Sequence, residues 1–298
     1  MSANYNTETI QAQFINQSFL EKVENGMDKE ASAAMSAFVR QKLREEGWTR
    51  KILTPVPLTN ADLDRQTTEE PTVIVEKEPD SIAANIPFVG RPNIRYFKGA
   101  RYPVSFNKIE SVEFKKSKYE LATYRTDIRT VLQENSVKDL QTQEDQNFYN
   151  NVTEIATANS NVFNLSGGLT VANVMAGVKK LLAHQLPVGV ILMTQSTYAD
   201  LMSQPATQVG SPLASSLMNG DSNLESFYQM PIVTTIKNDI LPDNQFIVFT
   251  KQQYLGQFYV LQDATIYLKQ EADIISFTAY ESIGAGIGNV NGAVVINI

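Results

Sequence analysis

From Ser18 to Glu46 apolar residues recur at spacings of three and four: Phe19, Leu20 and Val23, then Ala31, Ala34, Met35, Phe38, Val39 and Leu43. That spacing predicts an amphipathic helix, split at Asn25-Gly26 and ended by Gly47 behind Leu43-Arg44-Glu45-Glu46. Between Trp48 and Arg95 the periodicity fades, with prolines at 55, 57, 71, 79, 87 and 92 and a single β-like run from Thr72 to Val75. This stretch reads as an extended arm. A segment so long without periodicity has to pack on something other than its own core, which points to a partner surface.

Tyr102, Val104 and Phe106 then alternate with polar positions, and Val112 and Phe114 do so again after Asn107 to Ser111, the pattern of a β-hairpin with one apolar face. Its flanks are basic, with Arg91, Arg95, Lys98 and Arg101 before it and Lys115, Lys116 and Lys118 after it. Two readings stand side by side, a solvated charged edge that discourages aggregation and an interface that meets acidic neighbours.

Ser136 has the character of an N-cap, followed by an apolar stripe of Val137, Leu140, Phe148, Val152 and Ile155, which predicts one long amphipathic helix ending near Asn159. Thr170 caps a second helix whose inward face is Val171, Val174, Val178, Leu181 and Leu182. Val188 to Met193 is an uninterrupted apolar run, as in a strand covered on both faces, and Thr197 to Met202 reads as a short helix. After a serine-rich polar loop from Gln204 to Asn223, strands are predicted at 231–236, 246–250, 258–261, 265–269, 274–279 and 293–298. The pattern is that of an α+β protein with a β-rich C-terminal third.

Composition narrows the chemistry. The chain has 298 residues, 43% hydrophobic and 19% charged, enough for a proper core in one large domain or two ordinary ones. It contains no cysteine and one histidine, His184, which removes thiolate chemistry, disulfides, zinc-finger spacings and His-clustered metal sites. Ser2 to Gln13 lacks the basic and apolar regions of a signal peptide, and no window approaches the roughly 20 apolar residues of a membrane span. A soluble chain without export by a signal peptide is expected. A net charge of -7 opposes a sequence-independent grip on phosphate backbones.

Individual motifs add little chemistry. Gly284-Ala285-Gly286-Ile287-Gly288 resembles part of a phosphate-cradling loop, but a strand pattern follows it where a helix is needed, so a glycine-rich connection between strands is the better reading. Glu144-Asp145, Asp239 and Asp243 lack the partners that general acid–base work requires and read as solvated charges. His184 falls near a helix C-terminus, where a partly positive imidazole suits the dipole. No catalytic residue, no cofactor and no metal are expected.

This order of elements, helical arm, basic two-stranded loop, long helix, α/β layer and β-rich end, resembles that of the tailed-phage major capsid proteins of Hong Kong 97 type. Local stretches are similar too: Leu43-Arg44-Glu45-Glu46-Gly47 with Arg50-Lys51-Ile52-Leu53, then Glu76-Lys77-Glu78-Pro79-Asp80, and Gly99-Ala100-Arg101-Tyr102 leading into Val104 and Phe106. The resemblance implies an N-terminal arm over 1–88, an extended loop over 89–122, a spine-helix region of the peripheral domain over 123–164, most of an axial domain over 165–226, and the β-rich remainder of both domains over 227–298.

It further implies a structural subunit of a virion capsid, assembled in the host cytoplasm from homo-hexamers and pentamers, which encloses double-stranded DNA without sequence-specific binding. Scaffold, portal and decoration proteins are the further partners implied. Phe38 and Leu43 on the arm, with Arg91, Arg95, Lys98, Arg101, Tyr102, Lys115, Lys116 and Lys118, become candidate contacts to neighbouring subunits, and Glu144 and Asp145 the candidate acidic side. Some relatives join subunits through a loop lysine and an asparagine, parts for which Lys98 and Asn289 or Asn291 are available. Two other classes remain open, an encapsulin-like compartment shell and a cytosolic α/β enzyme built on acids converging with His184.

Overall fold

The computed structural model describes residues 47–64, 71–76, 101–123, 128–202, 226–227 and 230–298, with Glu21, Asn25, Met27, Asn85, Phe88 and Gly90. The predicted arm helix with Phe38 and Leu43, and the basic residues Arg91, Arg95 and Lys98, lie outside the described residues. In chain order the elements are α1 (Thr49–Ile52), β1 (Pro55–Pro57), β2 (Thr72–Glu76), β3 (Arg101–Ser105), β4 (Asn107–Glu110), β5 (Phe114–Ser117), α2 (Lys118–Thr123) and α3 (Ile128–Ala158). They continue with β6 (Val162–Asn164), α4 (Val171–Ala183), β7 (Val188–Thr194), α5 (Gln195–Met202), β8 (Ser226–Phe227), β9 (Met230–Thr235) and β10 (Gln245–Thr250). The chain ends with α6 (Gln252–Leu255), β11 (Gly256–Glu271), β12 (Ile274–Ile287) and β13 (Ala293–Asn297).

Two sheets and a ribbon result. The central sheet runs β6-β13-β10-β7-β9-β8, and its middle strands are covered on both faces, as the apolar run of β7 and the sequence Phe246-Ile247-Val248-Phe249 of β10 require. One face holds Ile191, Met193, Phe246, Val248, Val294 and Ile296 against Val174, Val178 and Leu181 of α4. The other presents Leu192, Ile247, Phe249 and Val295 to the cluster around α3, where Phe148 meets Phe249 at 6.0 Å.

The second sheet is built on a long hairpin of β11 and β12, with β1, β4 and β5 along its edges. The two strands predicted at 258–261 and 265–269 are one strand, kept continuous across register shifts between Val260 and Thr265. α3 packs Leu140, Phe148, Val152 and Ala156 into the core that Ile266, Leu268, Ile275, Phe277 and Ala279 provide from the hairpin. Each fully buried residue of this kind contributes about 1.5–3 kcal/mol of transfer free energy.

Several expectations need correction. Ser136 is not a cap: α3 starts at Ile128 and Ser136 is buried inside it, because Arg129 to Asn135 contains no glycine or proline to stop the helix. The predicted 102–114 hairpin does not form. β3 pairs with β2, while β4 and β5 each pair with β12. Asn107 to Ser111 has no glycine for a tight turn, and Lys108-Ile109-Glu110 itself alternates, placing Ile109 in the core. Val112 is left 72% exposed.

The glycine-rich segment is not a connection either. Gly284 and Gly286 lie within β12, and the ribbon crosses them: a Cβ on Gly286 would fall 2.6 Å from Val104 Cγ2, and one on Gly284 3.0 Å from the Ser105 carbonyl oxygen. Lastly, the start of the proline-rich arm belongs to the chain's own core. Trp48, Ile52 and Leu53 are at most 5% exposed, with Trp48 edge-on to Phe148 at 5.8 Å.

Candidate assembly surface and a buried charge cluster

The described basic residues fall at two separate places. Arg101 stands on the ribbon, two-thirds exposed, and pairs with Glu76 of β2 at 2.6 Å. Tyr102, its neighbour on β3, is half-buried with its hydroxyl over Gly288. The lysines sit at the β5 end of the hairpin sheet. Lys115 pairs with Glu113 at 3.4 Å and Lys116 with Glu120 at 3.5 Å, while the Lys118 backbone N–H donates to the Asp273 carbonyl at 2.8 Å. Tyr119, Tyr267 and Ile274 are exposed around them. Sequence adjacency suggested one basic hairpin, but the strand pairing separates Arg101 from the lysines.

Glu144 and Asp145 are not an acidic surface. They are 2% and 0% exposed and point into the molecule, so they are no partner for a neighbour's lysines. Glu144 lies on the same i, i+4 row of α3 as Leu140, Phe148 and Val152, which carries it to the buried face. There it meets Arg50 of α1, whose Nε donates to both Glu144 carboxylate oxygens at 3.1 Å. The remaining guanidinium nitrogens reach Asp263 Oδ1 at 3.2 Å and Glu281 Oε2 at 3.3 Å, and Arg50 Cζ stands 5.9 Å from the centre of the Phe258 ring. Asp263 comes from the irregular part of β11, within the register shift between Gln262 and Thr265. Asp145 faces the next partners along: Thr49 donates to its Oδ1 from the backbone N–H at 3.0 Å and from Oγ1 at 2.6 Å, and Lys237 Nζ donates to Oδ2 at 2.6 Å.

Three carboxyl groups thus share one guanidinium in the interior. Burial, reinforced by the neighbouring Glu144 charge, pushes Glu281 up to about 8, with Arg50 opposing. Burial likewise raises Glu144 to about 7, again against Arg50, and it raises Asp145 against Lys237 and Thr49. Burial alone would lower Arg50, but Glu144, Glu281 and Asp263 overcome it and the guanidinium stays charged. Glu281 Oε1 and Trp48 Nε1 have no hydrogen-bond partner among the described residues. The guanidinium fills the place that a cation would take between the carboxylates, and among the described residues no cluster of acids and histidine forms a metal site.

His184 is at the C-terminal end of α4 as expected, with Nε2 3.2 Å from Asn161 Oδ1. It is not brought together with the buried acids, which face Arg50. Asn291 Oδ1 accepts from Asn161 Nδ2 at 3.2 Å, and Asn289 closes the turn before β13 by accepting from Gly292 N–H at 3.0 Å. Among the described residues no helix is long and apolar enough to cross a membrane.

No family model and no curated protein matches this sequence. Solved structures do share its fold. A chain from Microbacterium phage Oxtober96 superposes with a TM-score of 0.60 at 11% identity, over 82% of this chain and 88% of that one. The virus-like particle of Pyrococcus furiosus gives 0.54 at 15% identity, over 88% and 98%. The capsid of a native GTA particle gives 0.54 at 12% identity, over 84% and 89%. At such identities the likeness is one of fold, and the fold is the α+β, Hong Kong 97-like capsid fold.

Proposed function

We propose that this chain is a major capsid protein, a subunit that self-assembles as hexamers and pentamers into the icosahedral head shell around a phage's double-stranded DNA. The observation that carries the reading is the shared fold, which spans more than four-fifths of this chain and of each compared chain. An acidic chain fits it, since a shell that gripped its genome would hinder packaging and release. In this reading α3 is the spine helix, the hairpin sheet with α3 is the peripheral domain, the central sheet with α4 and α5 is the axial domain, and the β2–β3 ribbon is the root of the extended loop. The arm proper then covers residues before 47, because residues 48–53 are core. The shell assembles in the host cytoplasm and ends in the virion, where scaffold, portal and decoration proteins are candidate partners.

A second reading, a compartment shell without a phage genome, is favoured by one observation: the virus-like particle of Pyrococcus furiosus is matched over 98% of its length. The enzyme reading loses its motivating constellation, since His184 and the buried acids face different partners. Negative-stain microscopy and sedimentation of the purified chain test the proposal. Closed shells or ring-shaped capsomers are expected, and a chain that stays monomeric at high concentration, with and without a co-expressed scaffold, would overturn it. Nuclease-protected DNA inside particles from infected cells separates the genome shell from the compartment.

A further inference from the structure

Among the described residues the sheet edges are short, charged or proline-bearing, with one exception. β1 has prolines on either side of Val56, β4 has Lys108 and Glu110, β5 has Lys115 and Lys116, and β11 beyond β1 has Asp263, Lys269 and Glu271. β6 is three residues long, with Lys180 Nζ 4.5 Å from the centre of its Phe163 ring. β9 differs from all of these. β7 pairs along its inner side, but β8 pairs only with its Met230 and Pro231, so the outer edge of residues 232–235 meets no strand among the described residues. Ile232, Val233, Thr234, Thr235 and Ile236 are all β-branched and none is charged. Ile236, which extends the strand to the turn closed by the Asn238 N–H on its carbonyl, is 78% exposed. The next charge, Lys237, is engaged by Asp145. Such an edge is a template for another strand.

We propose that a second copy of the chain adds its own β9 to this edge, antiparallel, about a two-fold axis at Thr234. The sequence Ile232-Val233-Thr234-Thr235-Ile236 is complementary to itself in that register. Ile232 faces Ile236 of the second copy, Val233 faces Thr235 and Thr234 faces Thr234, so β-branched pairs line the join and no like charges meet. Residues two apart share a face, so Ile232, Thr234 and Ile236 form one row across the join and Ile236 is covered. β8 holds the strand up to Pro231 and the chain turns away after Ile236, which limits the join to these five residues. A contact this small belongs to the weak, transient class, suited to subunits that associate reversibly. It is a two-fold contact, additional to the ring contacts of hexamers and pentamers, and does not rest on the shell reading.

The chain contains no cysteine, so a single introduced thiol reports one position. Full-length Thr234→Cys is oxidised across a concentration series beside Ile232→Cys, Ile236→Cys and, as an exposed site on α3, Ala158→Cys. Directly opposite residues have Cβ atoms about 4.5–5.5 Å apart, whereas the two copies of residue 232, or of residue 236, are offset by four residues, about 13 Å. Thr234→Cys should therefore form disulfide-linked dimer several-fold faster than the other three, and a mixture of Ile232→Cys with Ile236→Cys should link where neither does alone. Thr234→Lys sets two like charges face to face and should weaken concentration-dependent dimerisation in sedimentation at least about tenfold. Salt should leave the wild-type dimer unchanged, because no charge bridges the join. Equal rates at the four positions, no gain in the mixture, or a Thr234→Lys chain that dimerises like wild type each overturns the inference. Slow amide hydrogen exchange over residues 232–236 in the dilute monomer also overturns it, since the chain's own residues would then cover the edge. If Thr234→Cys does not fold, the mixture decides. Shells that form without the Thr234→Cys link would sink this contact and leave the shell reading standing.

Discussion

Arg50 Nε lies 3.1 Å from both carboxylate oxygens of Glu144, a residue 94 positions further along the chain, and neither side chain is more than 2% exposed. A contact of such long range, made in the interior, fixes where the N-terminal segment meets the long helix. Because the pair is desolvated, its loss is felt chiefly through the partner left behind.

Arg50→Ala should therefore destabilise the subunit by about 3–5 kcal/mol in denaturant unfolding, since the buried Glu144 and Glu281 lose the guanidinium that pairs with them. Adding Glu144→Gln to Arg50→Ala should recover part of that loss, because one of the stranded charges is then gone. Equal stabilities for the single and double variants would show that the charges are screened by solvent.

Stability should also depend on pH in an unusual direction. In the folded chain Glu144 and Glu281 keep their protons up to about 7 and about 8, whereas an ordinary glutamate loses its proton near 4.5. Folding takes up protons in between, so their contribution is fully present below about 4.5 and is lost as pH rises through about 8. Asp62 and Glu271 are shifted down, by a Thr59 hydrogen bond and by the Lys269 pair respectively, so their opposing effect is confined to acid. Urea unfolding at about pH 5.5 and about pH 9 should differ by on the order of 2 kcal/mol, with the alkaline chain weaker and Glu281→Gln flattening the difference.

Local pattern announced much of this architecture and little of the cluster. The strand at 188–194, the helix capped by Thr170 and the long helix through Phe148 follow from periodicity, because their apolar stripes face cores built nearby. β3 and the start of β5 were visible as strands, whereas β4 was read as the turn between them, and none of their partners was visible, since each pairs with a strand distant in sequence. Arg50 gave no local signal at all: it sits in a four-residue helix among prolines, and its partners lie 94 to 231 positions away. The one available hint was Glu144, which interrupts the apolar row of Leu140, Phe148 and Val152, and a charge on a buried stripe calls for a buried counter-charge.

The seat of the ribbon is open to a direct test. Gly286→Ala would place a Cβ 2.6 Å from Val104 Cγ2, where a stiff β-branched side chain cannot retreat, and should cost about 1–3 kcal/mol. Val104→Ala in the same chain should relieve the clash, so that the double variant is more stable than the two single losses add up to. Simple additivity in denaturant unfolding would mean that the ribbon does not rest on β12.

The lysines at the β5 end bear on assembly. Lys115→Glu, Lys116→Glu and Lys118→Glu together should change melting little, because exposed pairs are worth about 0–1 kcal/mol each, yet should weaken shell formation in a salt-dependent way. Sedimentation of the triple variant across a salt series is the measurement. Assembly indistinguishable from wild type would leave these lysines as a solvated edge whose charges are settled by Glu113 and Glu120.

The position of Trp48 sets where the arm can be cut. The residues before Gly47 carry the amphipathic stripe of Phe38 and Leu43, and a stripe followed by a segment anchored in the core is suited to reach a neighbouring subunit while its root stays at home. A chain beginning at Gly47 keeps Trp48 against Phe148, Thr49 on Asp145 and Arg50 among its carboxyls, so it should fold and melt close to the full-length protein. A chain beginning at Thr54 loses all three, together with Ile52 and Leu53, and strands Glu144 and Glu281 without their counter-charge; it should be insoluble or severely destabilised. The Gly47 truncation should nonetheless fail to build closed shells, stopping at monomers or capsomers in sedimentation and negative stain. Normal shells from it would show that the arm is dispensable for assembly, and a truncation at Thr54 that folds like the full chain would show that the buried segment is not part of the core.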